Sequence, residues 1–105
     1  MCESEGRVGS TARLQIETDR VRVTEYSFEP GGRTGWHVHQ FDYVVVPQTD
    51  GLLRIEDKQG VREAVLRAGE PYQRPAGIEH NVINAGRKPL VFVEVEIKAH
   101  GLGKS

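Results

Sequence analysis

Cysteine is almost missing from this chain of 105 residues: the only one, Cys2, stands beside the start. An internal disulfide is excluded, and a loose terminus offers no base to turn the thiol into a nucleophile. No apolar run approaches the roughly 20 residues of a membrane-spanning helix, and Met1 to Leu14 is polar, without the apolar centre of a secretion signal. Charge of one sign is lacking too: 14 Lys and Arg face 15 Asp and Glu, with no long block of either. Neither the basic stripe of a nucleic-acid binder nor the basic amphipathic helix of a membrane-surface protein is visible, so neither partner is expected. The near absence of cysteine suits a reducing, cytoplasmic compartment. Repeats, low-complexity tracts and linkers are also missing, and the length fits one domain with a modest core.

What is present is turn chemistry and alternation. Twelve glycines and five prolines cut the chain into short pieces, most of which alternate rather than follow a 3.6-residue period. In Leu90 to Lys98, Val91, Val93, Val95 and Ile97 share one face, while Glu94, Glu96 and Lys98 share the other. That pattern predicts a strand with the valine side buried. Val21 and Val23 alternate with Arg20, Arg22 and Thr24, but Tyr26 and Phe28 take the opposite phase, which predicts a bulge or bend near Glu25. Lys58-Gln59-Gly60 and Ala85-Gly86-Arg87-Lys88 read as hairpin turns, and Pro30-Gly31-Gly32, Ala68-Gly69-Glu70 and Pro75-Ala76-Gly77 as further turns. Eight or nine short strands without helical period predict an all-β barrel or sandwich over residues 12–98, with loose ends at 1–11 and 99–105. Gly103-Lys104-Ser105 resembles the tail of a phosphate-binding loop, but Lys98 occupies the place of the required earlier glycine, so that match is accidental.

The histidines carry the functional signal. His37 and His39 lie two apart on a predicted strand, so their side chains share a face. Their Cα atoms would then be about 6.5 Å apart, at a rise of about 3.3 Å per residue. Two such imidazoles can converge on one ion at about 2.1 Å. A pair of this kind alone is a weak signal, because two partly exposed histidines on one strand are common. His80, standing by itself, would read as a residue capping a strand end.

Taken together, the two segments resemble the cupin superfamily, whose first motif is commonly written G-x5-H-x-H-x3/4-E-x6-G and whose second is G-x5-P-x-G-x2-H-x3-N. Gly31, His37 and His39 meet the opening of the first, with Gly51 near its close; Gly69, Pro75, Gly77, His80 and Asn84 meet the second in full. The resemblance spans about residues 20 to 98. It implies a single antiparallel β-barrel, the small type-2, RmlC-like jelly roll, with His37, His39 and His80 around one divalent transition metal (Fe, Zn, Ni, Mn or Cu). Phe41 to Pro47, the Pro75 turn and the last strand also resemble a subgroup of small bacterial cupins linked by name to β-alanine degradation. A homodimer, formed through edge strands and N-terminal segments, is expected by the same analogy.

One departure has chemical weight. Where the first motif has glutamate, this chain has Tyr43 or Val44, and Asp42 is the one carboxylate close by. On a regular strand Asp42 and Tyr43 point to opposite faces. Tyr43 is expected inside, leaving three histidines; Asp42 inside would add a fourth ligand. Three neutral imidazoles leave a divalent ion its full charge and suit zinc, iron, nickel or copper, whereas carboxylate and water suit manganese or magnesium better. Some cupin dioxygenases use three histidines and iron(II). By that resemblance an anionic substrate and dioxygen would take the open positions, with Tyr43 hydrogen-bonding the substrate or a bound oxygen species; plain core packing is the other role open to Tyr43. Arg74 shares a face with Tyr72 and, if inward, could pair with a substrate carboxylate; otherwise it is a solvated arginine.

Several residues are expected away from the chemistry. Trp36 should point off the metal face as a rim or interface anchor, Glu79 should face away, Asn84 should fix its hairpin, and His100 belongs to the tail. The leading functional expectation is a metal-dependent oxidoreductase of dioxygenase type, acting on a small acidic or carbonyl metabolite. Two others stand beside it: a metal-dependent isomerase or lyase, for which the sequence offers no well-placed base, and a binding or sensing module that performs no reaction.

Overall fold

The computed structural model describes residues 7–98. Cys2, His100 and the Gly103-Lys104-Ser105 tail lie outside the described residues. Nine strands are present among those described: β1 (Val8–Glu17), β2 (Val21–Arg33), β3 (His37–Val38), β4 (Asp42–Pro47), β5 (Gly51–Asp57), β6 (Gly60–Leu66), β7 (Tyr72–Arg74), β8 (Glu79–Asn84) and β9 (Leu90–Ile97). All pairings are antiparallel, in the order β6-β5-β8-β2-β9-β4-β7, with β1 added to β2 and β3 to β8. The sheet curls into a half-barrel, the all-β architecture that the strand count and turn spacing predicted and the jelly roll that the cupin resemblance implied. β1 begins at Val8, four residues before the boundary expected at residue 12, and pairs with β2 over nearly its whole length.

The predicted turns close hairpins for visible reasons. Asp57 Oδ1 accepts the Gln59 amide at 2.8 Å between β5 and β6. Asn84 Oδ1 accepts the Gly86 amide at 2.9 Å, and its Nδ2 donates to the Lys88 carbonyl at 2.9 Å, so this residue fixes the β8–β9 hairpin as expected.

The inward face is the opposite of the one predicted for β9 and the start of β2. Leu90, Phe92 and Glu94 are buried, while Val91, Val93 and Val95 are half-buried on the outside and Ile97 is exposed. β2 runs beside β9 from Val21 to Phe28 without a register shift, so no bulge occurs at Glu25 on that side; Thr24, Tyr26 and Phe28 point in together. The irregularity falls on the β1 side instead, between Leu14 and Ile16. Aromatic volume decides the phase. Phe28 and Phe92 pack with ring centroids 5.5 Å apart, Tyr26 lies at the same distance from Phe92, and these rings fill a curved interior that valines would leave underpacked.

Candidate metal centre

Two local structures bring the three imidazoles together. His37 and His80 are direct cross-strand partners of β3 and β8, so their side chains leave the sheet on one face. His39 lies two residues on, in the buried continuation of β3. Its amide donates to the Ile78 carbonyl at 2.9 Å and its carbonyl accepts the Gly77 amide at 2.8 Å. The Pro75–Gly77 turn is thus tied on both sides to His39 and leads directly into His80. Gly77 has φ 95°, a conformation that side-chain-bearing residues rarely adopt.

The Nε2 atoms face one another: His37 to His39 is 3.1 Å and His39 to His80 is 3.1 Å. Three nitrogens at about 2.1 Å from one ion would stand about 3.0 Å apart on an octahedral face and about 3.4 Å apart in a tetrahedron. The observed spacing falls in that range, so the donor set fits a divalent transition metal. The His37 Nδ1 lies 2.9 Å from the Gly35 carbonyl, which can only accept; the proton therefore sits on Nδ1 and the Nε2 lone pair faces the cluster. Burial holds the His37 imidazole below its ordinary range, and burial plus the neighbouring histidines brings His39 down to about 3. His80 falls to about 4, from burial and then from His37. At neutral pH all three rings are neutral, the form that binds metal.

Of the two neighbours weighed for the inward position, Tyr43 is inside and Asp42 is outside. Tyr43 is buried and stacks on the His39 ring, centroids 3.9 Å apart and planes 16° from parallel. Burial raises its hydroxyl above the usual tyrosine range. Asp42 pairs with Ile97 on the outer face, is exposed, and its Oδ1 accepts the Ala76 amide at 2.8 Å. It buttresses the turn before His80 and stands outside the histidine cluster, so the optional fourth ligand at this position is corrected. Arg74 lines the same cavity as the histidines; its guanidinium lies 4.5 Å from the Tyr72 ring centroid and donates to the Gln73 carbonyl at 2.9 Å. Trp36 is exposed and donates to Glu79, which Lys58 also pairs at 3.2 Å, so both residues face away from the imidazoles as expected.

Glu94 is the residue that the alternation hid. Its carboxylate is buried in the cavity, with one oxygen 4.0 Å from the His39 Nδ1, behind the ring that points its Nε2 at the cluster. Burial pushes its carboxyl up to about 8, with Glu96 adding to the rise. A neutral imidazole and a largely protonated carboxyl at this separation make a polar contact and no ion pair. The ligand atoms of His39, Glu94 and Glu96 also lie within 4.8 Å of one another. The missed signal was that Leu90, Phe92 and Glu94 share a phase with the aromatic positions of β2. The cavity shared by the imidazoles, Tyr43, Arg74 and Glu94 measures about 1160 Å³, room for a small metabolite.

An all-β half-barrel with convergent histidines from β3, the segment after it and β8 defines a class of small barrels with a candidate metal site. Known proteins narrow the class. The cupin domain family matches residues 24–96. The beta-alanine degradation protein BauB of Pseudomonas aeruginosa is 53% identical over 93 residues, covering 89% of this chain and 98% of that protein. A crystal structure of a cupin domain from Bordetella pertussis is 51% identical with a TM-score of 0.86, covering 91% of this chain and all of that one. The polyketide cyclase RemF from Streptomyces resistomycificus shares the fold at 22% identity and a TM-score of 0.74, over 99% of this chain and 78% of its own. The chain belongs to the cupin family.

Proposed function

We propose that this cupin is a metal-dependent oxidoreductase of dioxygenase type that acts on a small acidic or carbonyl metabolite. The observation that carries the reading is the set of three neutral imidazoles whose Nε2 atoms meet at 3.1 Å in a cavity, with Tyr43 where a carboxylate would otherwise complete the set. A bound divalent ion of the Fe, Zn, Ni, Mn or Cu group would supply Lewis acidity and, for iron or copper, one-electron chemistry. The chain's own contribution is to hold His37 in one tautomer through Gly35, to fix His39 between the Tyr43 ring and Glu94, and to keep the cluster out of bulk water. Tyr43 presents a protonated hydroxyl to the substrate, and Arg74, engaged at one nitrogen by the Gln73 carbonyl, would offer a carboxylate only its remaining N–H donors. The name of the Pseudomonas relative, a protein of β-alanine degradation, supports a small acid as substrate.

Elemental analysis of protein purified without added metal or chelator tests the first step. About one equivalent of transition metal per chain is expected, as for a site with three protein ligands, and its loss in His80→Ala. Oxygen uptake with the loaded protein and a panel of small acids tests the second; uptake stimulated by none of them, with any of the five metals, would sink the dioxygenase reading. A metal-dependent isomerase or lyase gains support from Glu94, since a largely protonated carboxyl inside the cavity can donate a proton and, once ionised, take one back. Turnover of a carbonyl substrate under nitrogen would favour that reaction. Ligand binding without turnover under any metal would leave a binding or sensing module.

A homodimer is proposed on a surface different from the edge strands first expected. Val21, Val23, Val44, Val46, Val93 and Val95 sit side by side on the outer face of β2, β9 and β4, next to the exposed Ile97. A two-fold pairing of this face with its copy would cover apolar area of the kind that homodimer interfaces bury.

A further inference from the structure

The residue just ahead of the first strand brings to the cavity a guanidinium whose Nη1 has no hydrogen-bond partner among the described residues. β1 shifts register between Val8 and Ser10, where Gly9 has φ 67°, and crosses so close to Gly32 of β2 that a Cβ on Gly32 would lie 2.2 Å from the Gly9 carbonyl oxygen. Only glycine at 32 permits that approach. The hydroxyl of Ser10 donates to the Arg33 carbonyl at 2.7 Å and secures the crossing. The residue before this bulge, Arg7, lines the same cavity as the three histidines, with its guanidinium carbon 5.8 Å from the Tyr26 ring centroid. Its Nη1 is buried and has no hydrogen-bond partner among the described residues.

The other arginines near the cavity differ. Arg22 is engaged by Glu17 and Glu96, and Arg62 by Asp57. Arg74 is engaged by the Gln73 carbonyl and the Tyr72 ring. A buried guanidinium N–H without an acceptor is unfavourable until an acceptor arrives, and the planar fork of arginine matches a carboxylate better than any neutral group. Arg7, Tyr26 and the three histidines line one cavity, so a ligand held there can meet the guanidinium and the imidazoles together.

We propose that Arg7 heads an anion subsite that receives a carboxylate of the small-molecule ligand, the rest of the molecule lying toward His37, His39 and His80. The assignment of a reacting end to the histidines rests on the function proposed above; the carboxylate subsite rests on Arg7, Tyr26 and the Gly9–Gly32 crossing. The ligand class is therefore a small carboxylic acid bound at one end by guanidinium. An amide or ester of the same shape would bind poorly.

Calorimetric titration of the full-length protein, as purified, with propanoate and with propanamide tests the subsite, with metal content measured on each sample. The wild-type chain should bind propanoate at least tenfold more tightly than propanamide. Arg7→Gln should lose at least tenfold in propanoate affinity with its metal content unchanged, and Arg7→Lys, which keeps the charge and loses the fork, should lose less. Equal propanoate affinity in wild type and Arg7→Gln, equal affinity for acid and amide, or no propanoate binding to the wild type would each overturn the subsite. Should Arg7→Gln melt early, Arg7→Lys against wild type decides instead, and an unchanged affinity there together with equal acid and amide binding overturns it. A wild-type chain free of metal that still binds propanoate through Arg7 would remove the oxidoreductase reading and leave the subsite standing.

Discussion

A buried carboxyl behind an imidazole can orient the ring, and Glu94 stands in that place relative to His39, a ligand in the proposed metal site. Groups that hold a ligating histidine from its far nitrogen commonly change metal affinity by 10- to 100-fold when removed. Glu94→Gln should therefore weaken metal binding about tenfold without abolishing it, as read by competition with a chromogenic chelator; an unchanged affinity would make Glu94 a bystander. Tyr43 has a separable role, because its ring stacks on His39 and its hydroxyl does not. Tyr43→Phe should keep the metal and the fold, so any loss of turnover in that variant belongs to the hydroxyl. On the outside, the Glu17 carboxyl is held below its ordinary value by Lys98, whose Nζ lies 2.5 Å away, and by Arg22. A carboxyl with a lowered folded-state value stabilises the fold above the unfolded value of 4.5 and loses that contribution as pH falls through the lower one. Thermal melts of Glu17→Gln should accordingly depend less on pH below about 4.5 than those of wild type.

At the level of elements, the Pro75–Gly77 turn has the largest leverage over the site. It is bound to His39 through two backbone hydrogen bonds and to Asp42 through the Ala76 amide, and it leads into β8 at His80. Nothing lies within 4 Å of a Cβ built on Gly77, so an alanine there meets no neighbour and suffers only its backbone conformation, φ 95°. Gly77→Ala is expected to cost about 1 kcal/mol, a Tm lower by about 5 °C for a domain of this size. Metal affinity should fall with it, since the turn positions two of the three histidines. A variant with unaltered Tm and metal affinity would show that the turn yields without disturbing the histidines. β9 teaches a related lesson about strands: its wholly aliphatic face turns out and the face with Leu90, Phe92, Glu94 and Glu96 turns in, so alternation alone pointed the wrong way. The larger rings of its neighbours decided it.

For the whole molecule, the outer valine face and the inner cavity are the two sides of the same three strands. A lysine at position 95 sits beside Val23 and Val44 on the outer face, while its strand neighbour Glu94 remains inside. Val95→Lys should convert the proposed dimer to a monomer in light scattering after gel filtration and leave the metal content unaltered. A monomeric wild type would remove the dimer and leave the valine face without an assigned partner.

Turn residues, strand spacing and the two histidine segments were legible in the chain as written. Glycine and proline declare turns through backbone conformation, and a motif such as Gly69, Pro75, Gly77, His80 and Asn84 encodes a turn, a cavity histidine and a hairpin lock locally. That Tyr43 lies inward was a matter of local phase weighed against one alternative, and the strand register resolved it. Glu94 and Arg7 were decided only by tertiary structure. Which face of β9 is buried depends on the volume of rings carried by its neighbours, and Arg7 reaches the cavity because Gly9 meets Gly32, 23 positions away in the chain. Contacts of that kind belong to no local pattern, since neither partner signals the other until the barrel has curled.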